Sequence, residues 1–222
     1  GQPREAAFGG FSPGTTGGID IYEVAGGYAT TNSGGLALGL LGGMVPAGAP
    51  RDRCGPPATP PAPATIPPSA YFQGNTRPDT GAPFGLGLGI HEHQLDRFAY
   101  AAYDGGLLCL TVGTSTVALL TSDTFGLFLP SLANLTGGTT APISIGIRPQ
   151  APPVIALGKN TFVDDGMGGQ RVGEPLLDIT FTGLELDFFA QVEDQYVRLF
   201  TLVADLHLPV GLQVDAMGMI TP

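Results

Sequence analysis

The sequence predicts a β-dominated α+β fold built on long, bulged antiparallel strands with one amphipathic helix. Three observations carry this expectation. Residues 175–214 contain two extended period-two alternations, the signature of half-buried strands. Residues 91–103 are the one segment with convincing helical periodicity. The 222 residues include 35 Gly and 21 Pro, which favour turns, yet 43% are hydrophobic, too many for a disordered chain.

In the first alternation Leu177, Ile179 and Phe181 are apolar, with Asp178, Thr180 and Thr182 between them. After Gly183 the phase switches: Leu184, Leu186, Phe188, Ala190 and Val192 are apolar, while Glu185, Asp187, Gln191 and Glu193 are polar. One extra residue in a strand flips every later side chain, so a phase change at a glycine predicts a β-bulge. Residues 193–195 read as a turn. The second alternation then places Phe200, Leu202, Ala204, Leu206, Leu208, Val210, Leu212 and Val214 on one face. Two long, bent strands with one apolar and one polar face are expected.

Charge narrows the function classes. Nineteen acidic and nine basic residues give a net charge of −10, and the basic residues, including the single lysine Lys159, are scattered. Such a surface cannot neutralise a phosphate backbone, and an anionic membrane would repel it. Nucleic acid is thus not expected as a partner. No run of 18 apolar residues suggests a transmembrane segment, and no signal peptide is visible. Both ends resemble cuts in a longer polypeptide, and an acidic domain of this kind suits an extracytoplasmic location, whether secreted, periplasmic or on an outer surface.

Taken in order, residues 1–18 read as an extended Gly/Pro arm, followed by a single domain over 19–222. Ile19, Ile21 and Val24 suggest a short strand, and residues 36–41 a second, ended by Gly42-Gly43. Residues 45–83 hold 11 of the 21 prolines and form an insertion of coil and polyproline II, because proline cannot donate to a ladder. An ordered insertion of this composition has to be held down by its own body or by a neighbouring chain, so it is a candidate contact with protein partners. Leu86 and Leu88 lead into the helix, where Leu95, Phe98, Ala99 and Ala102 make an apolar stripe and Gly105-Gly106 a left-handed stop. Strands are expected at 107–112, 143–147 and 154–157, and a short helical turn at 124–129, capped by Ser122 or Asp123. Residues 164–169 read as a turn.

Four constellations carry residue types that could support chemistry or a cross-link. His91-Glu92-His93, with Asp96 near, resembles a metal ligand set, but in a continuous helix the two imidazoles point about 200° apart. They converge only if the helix begins later, and an acidic helix N-terminus is the preferred reading, with no metal expected. Asp164-Asp165-Gly166 with Asn160 offers oxygens for calcium but lacks the spacing of an EF-hand loop, so an acidic hairpin tip is preferred. Asp205 and His207 share one strand face and would need a Ser, Thr or metal within reach to form a catalytic group; no G-x-S-x-G accompanies them. Cys54 and Cys109 either form a disulfide that pins the insertion to the body or remain two unpaired thiols, since two cysteines do not define a framework. No catalytic residue, metal or cofactor is expected.

The segment at 85–112, GLGLGIHEHQLDRFAYAAYDGGLLCLTV, joins a short lead-in, a helix, a glycine stop and an apolar strand. It resembles the helix-to-strand signature of the C-terminal barrel in the BPI/LBP-like (tubular lipid-binding, TULIP) superfamily. Gln94, Phe98, Ala101, Ala102 and Gly106-Leu107-Leu108 stand at the signature positions. Leu129-Pro130, the alternation from Pro142 to Ile147, and Pro152-Pro153-Val154-Ile155 continue the same order, so the resemblance covers 36–214. The insertion at 45–83 is long for this family, whose characteristic disulfide is not assignable to Cys54 and Cys109.

The resemblance implies a twisted sheet wrapped around the helix, with a cavity for acyl chains between them. Leu95, Phe98, Ala99 and Ala102 would face that cavity from the helix, and Phe188, Phe200, Leu202, Leu206 and Leu208 from the sheet. A long apolar sheet face with few helices to cover it asks for the same filling on physical grounds. The expected function is therefore non-enzymatic: an extracytoplasmic domain that binds lipid or another apolar small molecule. The alternative is a structural subunit of a cell-envelope or extracellular assembly, using the same fold with a filled core.

Overall fold

The computed structural model describes residues 18–32, 35–47, 54–64, 74–77, 80–114, 116–193, 195–214 and 220–221. The arm expected over residues 1–18 lies outside them apart from Gly18, as do residues 48–53, 65–73 and 78–79 of the insertion. The fold is β-dominated, with antiparallel sheets and few helices.

The chain opens with an antiparallel hairpin of β1 (Gly18–Asn32) and β2 (Gly35–Ala47). Helix α1 (Glu92–Asp104) follows, then β3 (Leu110–Val112) and the short helices α2 (Ser122–Gly126) and α3 (Ser131–Leu135). Strands β4 (Ile143–Arg148) and β5 (Val154–Leu157) precede a small hairpin of β6 (Thr161–Asp164) and β7 (Gln170–Glu174). The long strands β8 (Leu177–Val192) and β9 (Gln195–Val210) come next, then β10 (Gln213–Val214) and β11 (Ile220–Thr221), which pair with each other.

Strand β8 is the spine of the main sheet. Along one edge it pairs first with β5, at Leu177–Leu157, and further on with β4, at Ala190–Ile143; β3 extends the sheet beyond β4. Along its other edge β8 pairs with β9 throughout. The expected bulge is present. Phe181 faces Leu206 and Leu184 faces Ala204, so Thr182 and Gly183 together oppose the single residue Asp205. Gly183 adopts φ 64°, a left-handed conformation that costs a side-chain-bearing residue about 1–2 kcal/mol. A second irregularity, between Phe188 and Phe189, leaves Leu199 as the extra residue on β9. Together the two shifts bend the ribbon while keeping its apolar rows in phase.

The core lies at the far end of that ribbon. Leu120, Leu132, Ile143, Phe188 and Ala190 form a buried cluster, with Phe125, Ile145 and Leu186 packed against it. The α2–α3 segment thus covers one end of the apolar face. The hydroxyl of Thr121 caps α2 by accepting from the Thr124 amide at 3.4 Å, so the cap is neither Ser122 nor Asp123 but the residue before them.

Helix α1 begins after its N-cap His91 and ends in a Schellman motif: the Leu107 amide donates to Ala102 at 2.9 Å and the Gly106 amide to Tyr103 at 3.1 Å. Gly106, at φ 76°, is its left-handed residue. That turn occupies residues expected to be strand, so β3 starts only at Leu110. The packing partners of α1 are β2, β5 and β1. Ala99, Ala101, Ala102 and Tyr103 are buried, whereas Phe98 is 43% exposed.

The insertion is held to the body at its start. Cys54 and Cys109 form a disulfide with Cα atoms 5.7 Å apart, and the Tyr103 hydroxyl donates to the Pro56 carbonyl at 2.6 Å. These two ties resolve the open alternative for the cysteines in favour of the bond.

Candidate functional site

The alternation of β8 and β9 produces one continuous apolar surface. Register rows pair Leu177 with Val210, Ile179 with Leu208, Phe181 with Leu206, Leu184 with Ala204, Leu186 with Leu202, and Phe188 with Phe200. The Phe188 and Phe200 rings stack at 4.5 Å, and Phe125 meets Phe188 edge-on at 5.7 Å. Past that aromatic end Leu184 of β8 is still buried, but the β9 half of the face is not covered. Phe200 is 36% exposed, Leu206 38%, Leu208 41% and Leu202 49%. Among the described residues β9 pairs only with β8, so its outer edge is open as well.

The nine residues expected around one cavity fall into two groups. Ala99 and Ala102 are buried in the packing of α1 with β2, β5 and β1, with Leu95 half-buried and Phe98 exposed beside them. Phe188, Phe200, Leu202, Leu206 and Leu208 share the β8–β9 face. Val154 of β5 lines a cleft of about 270 Å³ with Thr59, Pro61, Asp96, Tyr100, Pro152 and Pro153. Val154 belongs to the row Val154–Thr180–His207, on the polar side of the sheet.

A second apolar surface was not anticipated. In the β1–β2 hairpin Ile21, Leu36, Leu38 and Leu40 are each more than half exposed. Interspersed Gly, Thr and Ala hide the alternation of β1 in the sequence, although Leu36, Leu38 and Leu40 alternate visibly in β2.

The opposite face of the main sheet is ionic. Asp187, 4% exposed, accepts from Arg148 Nε at 2.6 Å and from Thr201 Oγ1 at 2.5 Å, and Arg198 lies 3.7 Å away. Arg148 also donates to Glu185 at 2.5 Å. Burial pushes the Asp187 carboxyl up, but the Thr201 and Arg148 hydrogen bonds and the two guanidinium charges outweigh it and hold the group below the usual carboxylate range. Cross-strand pairing explains the set, because Arg148 faces Glu185 and Thr201 faces Asp187. Single-strand periodicity identifies the polar face but not its partners.

Further along, Thr180 Oγ1 lies 3.1 Å from His207 Nδ1, so a hydroxyl is within reach of this histidine. Asp205 accepts instead from the Gly183 amide at 2.8 Å. The pair is exposed, and the carboxylate is committed to the bulge. A triad needs its carboxylate on the histidine nitrogen opposite the nucleophile.

At the β6–β7 tip, the Gly166 amide donates to Asp164 at 2.7 Å, while the Met167 and Gly169 amides donate to Asp165 at 2.8 and 2.9 Å. Those backbone hydrogen bonds hold the Asp165 carboxyl below its ordinary value. Asn160 donates to the Leu212 carbonyl and accepts from its amide. Asp164 and Asp165 thus shape the hairpin tip through one oxygen each, and Asn160 ties it to the segment after β9.

His91 and His93 do converge. His91 is extended at φ −80°, ψ 148°, outside the helical screw, and its ring stacks on that of His93 with centroids 5.1 Å apart. The later helix start that their convergence required is the one observed.

No described helix is long and apolar enough to cross a membrane. No family model, curated protein or solved structure matches the chain.

Proposed function

We propose that this chain is a non-enzymatic structural subunit of an extracytoplasmic assembly, whose β8–β9 face is covered by a neighbouring copy. The observation that carries this reading is the row Phe200, Leu202, Leu206 and Leu208, which stands open on a long edge strand. Scattered exposed leucines are ordinary in soluble proteins, but a contiguous apolar row usually marks an interaction surface. The row runs about 26 Å along the strand at roughly 3.3 Å per residue. An exposed hydrophobic edge strand is also a template for pairing with another chain. The disulfide supports an oxidising compartment. The hairpin residues Ile21, Leu36, Leu38 and Leu40 offer a second apolar surface, which lets one subunit contact two neighbours.

Lipid binding by a BPI-like domain is the second reading. It is supported by the uncharged β8–β9 face and by the resemblance of 36–214, with an acyl chain in place of the neighbouring subunit. Native mass spectrometry of the purified chain, followed by solvent extraction of the same sample, separates the two. Masses in multiples of the subunit without ligand support the assembly. A stoichiometric acyl ligand supports the lipid reading, and a ligand-free monomer at all concentrations overturns both.

A further inference from the structure

We propose that His91, Glu92 and His93 bind a borderline divalent metal ion of the zinc class at the start of α1. One ligating atom from each of these residues lies within 4.8 Å of the others, and among the described residues this is the one such group of three or more His, Cys, Asp or Glu side chains. Sequence spacing alone argues against the site, because consecutive helical positions diverge. The extended N-cap conformation of His91 removes that objection by turning its imidazole back over His93.

The donor chemistry fits. Two imidazoles and a carboxylate suit zinc and its neighbours rather than calcium or magnesium, and three protein ligands leave a position open for water or a further group. The two rings stack at 17°, so zinc, at bonds of about 2.0–2.2 Å, requires them to rotate until their in-plane lone pairs meet and the donors to close to about 3.4 Å, a rotamer adjustment open to surface side chains. Asp96 Oδ2 lies 3.5 Å from His93 Nδ1. A carboxylate there orients the Nδ1 proton and leaves Nε2 free to ligate, the usual arrangement behind a metal-bound histidine.

Two effects oppose binding, and both are local. The positive end of the helix dipole disfavours a cation, but Glu92 in the first turn and Asp96 one turn further on place two carboxylates beside it, on a chain of net charge −10. His91 Nδ1 accepts from the His93 amide at 3.3 Å, so ligation by His91 exchanges that cap bond for a metal bond. Metal binding therefore reports on the helix N-terminus directly.

The chain has three histidines, and its two cysteines are joined, so competing nitrogen and sulfur donors are few. Calorimetric titration of the full chain with zinc chloride is expected to show a single saturable site of micromolar affinity. His91→Asn retains a side chain that caps helices, and His93→Gln leaves the cap untouched. Each is expected to weaken zinc at least tenfold and the double variant to abolish the site, while His207→Asn leaves it unchanged. An NMR titration should shift the His93 amide at the same stoichiometry. Absence of saturable binding to the wild-type chain, or equal affinity in the His91→Asn/His93→Gln variant, overturns the proposal.

Discussion

The Asp205 carboxylate accepts the backbone N–H of Gly183 at 2.8 Å, across the bulge where β8 gains a residue on β9. The extra residue keeps the apolar rows on one face. Without the bulge Leu184, Leu186 and Phe188 would point to the polar side. Gly183→Ala is expected to destabilise the fold by about 1–2 kcal/mol, because alanine is disfavoured at φ 64°. Thermal unfolding should report a fall of about 3–6 °C. An unchanged midpoint would mean that the backbone relaxes without loss.

Asp187 gives a pH dependence of defined sign. Its folded carboxyl is held below the ordinary range, so the unfolded chain takes up protons first as pH falls. The stabilisation is complete above the unfolded value, about 4, and is lost as pH drops through the lower folded value. Asp187→Asn should cost about 2 kcal/mol at neutral pH, less than a fully buried pair, because Arg148 is one-third exposed and keeps Glu185. Urea melts from pH 3 to pH 7 should show a smaller acid loss for this variant than for the wild-type chain.

The Cys54–Cys109 bond closes a loop with a sequence separation of 55. A loop of that size restricts the unfolded chain by about 4 kcal/mol in the chain-entropy model. A Cys54→Ser/Cys109→Ser variant should therefore melt well below the wild-type chain. Equal midpoints would remove the bond from the account of stability.

Phe188 and Phe200 stack but differ in burial, at 8% and 36% exposed. Phe188→Ala should cost about 3–4 kcal/mol through the cavity left beside Phe125 and Ile143. Phe200→Ala should cost about 1 kcal/mol, since less apolar area returns to water. Equilibrium denaturation of both variants checks the ratio.

The long strands were legible because residues 177–188 and 200–210 report their faces through period-two alternation, and Gly183 marks the phase change; the irregularity at Leu199 carries no such mark, and Leu212 and Val214, which continue the alternation in the sequence, lie beyond the end of β9. The end of α1 was legible for a similar local reason, the Gly105-Gly106 pair. Its start was not, because His91 and Glu92 are equally plausible first residues and only the backbone at His91 decides between them. Strand β1 extends to Asn32, although alternation suggests only a short strand near residues 19–24, because cross-strand pairing with β2 carries residues of weak strand propensity. The position of α1 is a tertiary property. Its stripe predicts a buried face but not that β2, β5 and β1 cover it, and the ion pairs of Arg148 likewise depend on which strands become neighbours.

The proposed assembly depends on the open row of β9 being an interface. Sedimentation velocity of the wild-type chain and of a Leu202→Lys/Leu206→Lys variant, over a hundredfold concentration range, tests it most directly. Lysine stems can still cover the neighbouring apolar atoms while the charged heads oppose a dry contact, so the variant should fold with a melting midpoint near that of the wild-type chain. An interface there gives concentration-dependent oligomers for the wild-type chain and monomers for the variant. Identical sedimentation of the two as monomers would contradict it.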